Sequence, residues 1–121
     1  MPTALILFAH GARDPAWAAP FEAIATRVRQ ASPDVVVRLA FLELMQPDLA
    51  TVVAELAQAN VAQARVVPVF MAAGSHLKHD LPQLISAAQQ AHPAIHLTLT
   101  PPVGEDAQVQ EAIAQAALAG L

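Results

Sequence analysis

Cysteine is absent from the chain, which excludes disulfides and thiolate metal sites. Aromatic residues make up only 4% of a sequence that is 55% hydrophobic, so the core has to be built from Ala, Val, Leu and Ile. Cations are scarce as well. Six Lys and Arg face ten Asp and Glu, for a net charge of -4, and no basic stripe for nucleic acid can be drawn from them. Long apolar runs are missing. The longest are of strand length, short of the roughly 20 residues a spanning helix needs. Met1-Pro2-Thr3 leads straight into a strand-like run, so no signal peptide is expected and the cytoplasm is the expected compartment. Neither Gly-x-Gly-x-x-Gly nor Gly-x-x-x-x-Gly-Lys occurs, which argues against a nucleotide requirement. Ser32, Ser75 and Ser86 are the only serines, and none lies in a Gly-x-Ser-x-Gly elbow.

What is present is an alternation of strand-like and helix-like segments, read as one domain over residues 1–121. Ala4–Phe8 is continuously apolar, as a strand buried on both faces would be. Trp17, Phe21, Ile24, Ala25 and Val28 then recur at helical spacing, until Ser32-Pro33-Asp34 interrupts. Val35–Phe41 reads as a second strand. Pro47-Asp48 opens a helix with Leu49, Val52, Val53 and Leu56 on one face. Arg65–Phe70 is a third strand, although Pro68 inside it cannot donate to a ladder. Met71–His79 reads as a loop and Asp80 as the N-cap of a helix with Pro82 in its first turn. Leu81, Leu84, Ile85 and Ala88 give that helix its apolar face. Ile95–Thr100 alternates, with Ile95, Leu97 and Leu99 on one side and His96, Thr98 and Thr100 on the other, as an edge strand with one wet face does. Pro101-Pro102 ends it. The last helix runs from about Glu105 to Ala119, with Val109, Ile113 and Ala117 directed inward. Such alternation implies an α/β fold, a parallel four-stranded sheet with right-handed crossovers, flanked by helices. Placing the two most apolar strands centrally gives the order 2-1-3-4, as in a flavodoxin-like half.

Three polar residues follow three of these strands: His10, Glu43 and His76. A parallel sheet brings all three to its carboxyl edge, where ligands bind in such folds. Two imidazoles and a carboxylate there suit a divalent metal. Gly11 allows a sharp exit from the first strand and leaves the His10 imidazole accessible. Glu43 lies among Phe41, Leu42, Leu44 and Met45, where a carboxylate is costly unless paired, bound or protonated. Arg13 and Lys78, two of the six cations, stand three residues after His10 and two after His76, which hints at an anionic partner. Asp48 reads as a helix cap, His79 as a solvated or rim residue, His92 as surface and His96 as the polar side of a strand.

The chain resembles the short-form CbiX-type sirohydrochlorin chelatases, the small class II tetrapyrrole chelatases. The likeness lies in His10-Gly11-Ala12-Arg13-Asp14-Pro15, in Ala40-Phe41-Leu42-Glu43-Leu44 with Pro47, in Pro68 through Pro82 around Gly74-Ser75-His76-Leu77-Lys78-His79, and in Pro101-Pro102-Val103-Gly104. Ala12 departs from the family's usual Ser and removes a hydroxyl beside the site. The resemblance implies ATP-independent insertion of a divalent metal (Co²⁺ first, Fe²⁺ or Ni²⁺ otherwise) into a sirohydrochlorin-like tetrapyrrole. His10, Glu43 and His76 would form the metal and catalytic site, with no cofactor beyond the metal substrate. The macrocycle must lose two N–H protons as metal enters, so a base is required. Arg13 and Lys78 would meet the ring's carboxylates, and Ser75 and Leu44-Met45-Gln46 would line the rim. Long members of the family resemble two such units in tandem, which implies that a single unit acts as a homodimer. The same ligands would also serve a non-catalytic metal or tetrapyrrole carrier. A phosphohydrolase with a His10 nucleophile is disfavoured, because Ala9 stands where such chemistry expects an Arg.

Overall fold

A computed structural model of the chain describes residues 2–121. It contains β1 (Thr3–Ala9), a 3-10 turn (Pro15–Ala18), α1 (Ala19–Ala31), β2 (Val36–Phe41), α2 (Leu49–Gln58), β3 (Gln63–Pro68), α3 (Ser75–Ala91), β4 (His96–Leu99), a second 3-10 turn (Val103–Glu105) and α4 (Ala107–Leu118). The four strands form one parallel sheet in the order β2-β1-β3-β4, as the apolar patterning implied. Its register pairs Leu7 with Leu39 and with Val67, and Val66 with Leu99.

Alternation along each strand divides the sheet into two faces. One carries Ala4, Ile6, Phe8, Ala40, Ala64, Val66 and Leu97, buried against Leu49, Val52, Val53 and Leu56 of α2 and Leu81 and Ala88 of α3. The other carries Leu7, Ala9, Val37, Leu39 and Phe41, packed on Ala25, Phe21 and Val28 of α1. Ile24 and Leu84, expected on inward faces, are exposed. Arg38 crosses from β2 to pair with Glu55 of α2.

Pro68 is tolerated because of where β3 ends. The Val69 N–H bonds Phe8 O on the β1 side at 2.7 Å, so the missing Pro68 donor faces the β4 side. Registered pairing with β4 stops there, at Val66–Leu99.

Three helical expectations need correction. Trp17 lies in the 3-10 turn ahead of α1, whose entry is capped by the Asp14 carboxylate accepting from Ala16 N at 2.9 Å. The third helix begins at Ser75 with Gly74 as N-cap, five residues before Asp80, and holds Pro82 in its interior. The physical reason is Leu77, which packs against the core one turn ahead of Leu81 and so extends the apolar stripe upstream at i, i+4 spacing. Finally, α4 buries none of its residues, including Val109, Ile113 and Ala117. Asp106 caps it, accepting from Gln108 N and Val109 N. Asp48 caps α2 as expected; its hydrogen bonds with Thr51 hold its carboxyl below the usual range.

No helix among the described residues is long and apolar enough to cross a membrane.

Candidate active site at the carboxyl edge

The ends of β1 and β2 are bound tightly together. Leu42 N–H continues the ladder to Ala9 O at 2.8 Å, and Phe41 N–H bonds Pro47 O at 2.9 Å, closing the loop between them. Inside that loop the Met45 N–H reaches Glu43 O at 2.8 Å across Leu44, whose φ is 67°. A three-residue turn with positive φ at a non-glycine is rare and strained. Its result is that Leu44 projects into solvent, 63% exposed.

Gly11 faces this loop. Its φ is not positive, so the turn out of β1 is not what demands glycine. The demand is close approach: a Cβ there would lie 1.9 Å from Glu43 O and 3.1 Å from Met45 Cγ. The contact delivers Glu43 to the end of β1. Its carboxylate accepts from His10 Nδ1 at 2.9 Å and from Gly11 N–H at 3.3 Å. A carboxylate only accepts, so the neutral imidazole carries its proton on Nδ1 and keeps a lone pair on Nε2. The ring packs against Phe70 at a tilt of 35°, with centroids 4.7 Å apart. Trp17 Nε1–H bonds His10 O at 2.7 Å. Both side chains of the pair remain about half exposed, 46% for His10 and 45% for Glu43.

This is an oriented imidazole with an open nitrogen, held by a carboxylate in the manner of a ligand or base supported from behind. The sequence reading placed His10 and Glu43 at one edge, and the structure brings them into contact. It missed Trp17 and Phe70 as the residues that fix His10. A tryptophan seven residues beyond a strand-end histidine was the available signal, but its fit to the helical spacing concealed it.

His76 is on the first turn of α3, exposed, and not in the loop expected for it. His79 is on the same helix and meets Gln83 at 3.2 Å. Among the described residues no three of His, Cys, Asp and Glu come together as a ready metal cage, so His76 does not join the His10–Glu43 pair in this arrangement. Ser75 and Lys78 share the first turn of α3, and Arg13 precedes the first 3-10 turn. All three are exposed, and neither cation is ion-paired among the described residues. Met71, directly after Phe70, is 64% exposed. Gly104 fixes that segment, because a Cβ there would lie 2.0 Å from Met71 O. The edge therefore combines a lone-pair nitrogen, exposed apolar Leu44 and Met71, and unpaired cations.

A parallel α/β sheet with a histidine–carboxylate pair at its carboxyl edge defines a class of small edge-site domains, and the comparisons name the family within it. A family model described as CbiX matches residues 4–119. The chain belongs to the CbiX family. It is 35% identical over 82 residues to a sirohydrochlorin cobaltochelatase of Methanopyrus kandleri, taking in 68% of this chain and 57% of that protein. It is 28% identical over 75 residues to the sirohydrochlorin ferrochelatase of Bacillus subtilis, 62% of this chain and 29% of that one. The matched part thus spans little more than half of the first relative and under a third of the second. Among solved structures, a putative cobalamin biosynthesis CbiX protein of Marinobacter aquaeolei superposes with a TM-score of 0.85 at 33% identity, covering 96% of this chain and 94% of that one. The sirohydrochlorin chelatase SirB of Bacillus subtilis in complex with cobalt gives 0.81 at 26% identity, covering 95% of this chain and 49% of that one.

Proposed function

We propose that this protein inserts a divalent metal into sirohydrochlorin without ATP, with Co²⁺ as the first candidate and Fe²⁺ or Ni²⁺ as the others. The observation that carries the reading is the His10–Glu43 pair with its open Nε2, in a chain whose relatives are named as sirohydrochlorin chelatases. The chemistry fits. Metal entry requires removal of two pyrrole protons, and a neutral imidazole whose other nitrogen is hydrogen-bonded to a carboxylate is a competent acceptor. The same nitrogen donors and carboxylate suit Co, Ni, Fe or Zn. Exposed Leu44 and Met71 offer apolar contact to a flat ring. Arg13, Lys78 and Ser75 stand where peripheral carboxylates would meet charge-assisted donors. His76 joins as the third ligand when metal and ring are bound. Metal and tetrapyrrole are the substrates, no resident cofactor is required, and the working unit is a homodimer.

The test is anaerobic mixing of the protein with sirohydrochlorin and, separately, Co²⁺, Fe²⁺ and Ni²⁺, following the tetrapyrrole spectrum. Insertion well above the protein-free rate is expected, fastest with Co²⁺. Spectral binding with no rate gain would replace the enzyme with a carrier, and would make Ala12→Ser the first variant to assay. Arg13→Ala is expected to raise the KM for the tetrapyrrole about 10-fold, the loss of one charge-assisted bond, while metal affinity stays constant. Equal losses for both substrates would remove Arg13 from the ring's carboxylates.

A further inference from the structure

The first turns of α3 carry two histidines, and only one of them has a place at the insertion site. His76, His79 and Gln83 stand at i, i+3 and i+7 of this helix, and so lie on one side of it. All three are exposed. The Gln83 amide N–H donates to His79 Nε2 at 3.2 Å. That nitrogen therefore presents a lone pair, and the neutral ring carries its proton on Nδ1. Side chains of a helix lean towards its N-terminus, which tilts His79 over the turn that holds His76. Lys78, the only Lys or Arg of α3, lies on the opposite side, where it lines a groove with Pro101 and Pro102.

The histidine side leads towards the His10–Glu43 pair. Gln83 and Asp80 border a groove of about 410 Å³ together with Leu42, the residue before Glu43. Among the described residues that line it are one carboxylate, one amide and no cation, which suits the passage of a divalent ion. His76 itself stands apart from the pair, with a second imidazole one helical turn away.

A hydrated metal ion has to shed water before it enters a macrocycle. Imidazoles replace water on Co, Ni, Fe or Zn, and two of them at i, i+3 are close enough to share one ion. The Gln83 amide, turned over, offers its oxygen to the same point. The positive end of the helix dipole opposes a cation at the first turn, which keeps such a site weak enough to release its metal.

We propose that His76 and His79, backed by Gln83, form a receiving site for the divalent metal ahead of the insertion site. The metal moves on by ligand exchange about the shared His76. Its bond to His79 Nε2 breaks, a bond to His10 Nε2 forms, and the ion stays divalent throughout. This rests on the chelatase reading and adds the step before insertion.

Calorimetric titration of the ring-free protein with Co²⁺ tests the site apart from turnover. His79→Ala is expected to weaken binding by about 10- to 100-fold, as loss of a group that holds a metal does, and by more than His10→Ala does. The fold should be unchanged by circular dichroism, since the side chain is exposed and alanine favours helix. His96→Ala, on the exposed side of β4, controls for Co²⁺ on any surface histidine and should bind as the wild type does. In insertion assays the His79→Ala loss should appear in the KM for Co²⁺ and not in that for the tetrapyrrole. Three results would overturn the receiving site while leaving the chelatase reading in place: a ring-free wild-type protein that binds no Co²⁺, a His79→Ala protein that binds it undiminished, or an equal loss in His96→Ala. Binding that depends on His79 in a wild-type protein that inserts no metal would instead overturn the chelatase reading and the transfer to His10, and leave the site as that of a carrier.

Discussion

His10→Ala is expected to lower the rate of metal insertion by about 10²- to 10⁴-fold, the range for loss of a positioned base, without disturbing the fold. The fold should survive because the His10 side chain is 46% exposed, so its removal opens no interior cavity. Activity should not, because among the described residues Nε2 is the only nitrogen at this edge that a hydrogen-bonded carboxylate holds in one tautomer. Glu43→Gln is the graded companion. It can still accept from Nδ1–H but brings no charge, and a loss of about 10- to 100-fold fits removal of such a supporting group. His76→Ala carries the second half of the argument. His76 lies apart from the pair, so its role depends on metal and ring drawing the three together. If they act as one unit, the double variant His10→Ala/His76→Ala will be little worse than either single one. Strict additivity of the two losses would mean that His76 works independently, and near-normal turnover in His10→Ala would remove the site assignment. The readout is the initial rate of the tetrapyrrole absorbance change, with circular dichroism as the fold control.

What the sequence disclosed, and what it concealed, follows from the range of the forces involved. Sheet order came from apolar runs: Ala4–Phe8 and Val66–Phe70 are continuously apolar, which favours central strands, although Gln63 and Arg65 earlier in β3 are exposed. The wet side of β4 came from strict alternation of Leu97 and Leu99 with His96 and Thr98. Strand-end placement of His10 and Glu43 followed from topology alone. The start of α3 was misread because Asp80 and Pro82 make a locally persuasive N-terminus, while the contact that overrides it, Leu77 on the core, is tertiary. The inward face assigned to α4 failed for a related reason. An apolar stripe shows which side of a helix can be covered, but not that the chain's own sheet covers it. Trp17 was hidden because its bond to His10 O depends on a 3-10 turn that helical periodicity does not distinguish from the helix after it. The strain at Leu44 and the fit of Gly11 against Glu43 are properties of two loops meeting, and neither loop's sequence contains the other.

That meeting point supplies the second large effect. Gly11→Ala is expected to destabilise the protein by about 3 kcal/mol, the upper end of overpacking costs, and to suppress insertion nearly as far as His10→Ala does. The added methyl would lie 1.9 Å from Glu43 O and 3.1 Å from Glu43 C. These are backbone atoms and cannot rotate aside as a side chain would. The loop is also pinned on both flanks, by Leu42 N–H on Ala9 O and Phe41 N–H on Pro47 O, and Leu44 between them is already strained. Relief therefore has to come from moving the end of β1 away from the loop, which parts His10 from Glu43 and leaves Gly11 N–H without the carboxylate. Stability and chemistry fall together because one contact serves both. Gly74→Ala is the matched control: nothing lies within 4 Å of its Cβ position, so only an N-cap effect of about 1 kcal/mol is expected. Denaturant unfolding of the two variants separates the outcomes. A Gly11→Ala protein as stable as Gly74→Ala would show that the loop yields freely. If that stable variant also kept full turnover, the close approach of Gly11 to Glu43 would have no part in positioning the His10–Glu43 pair.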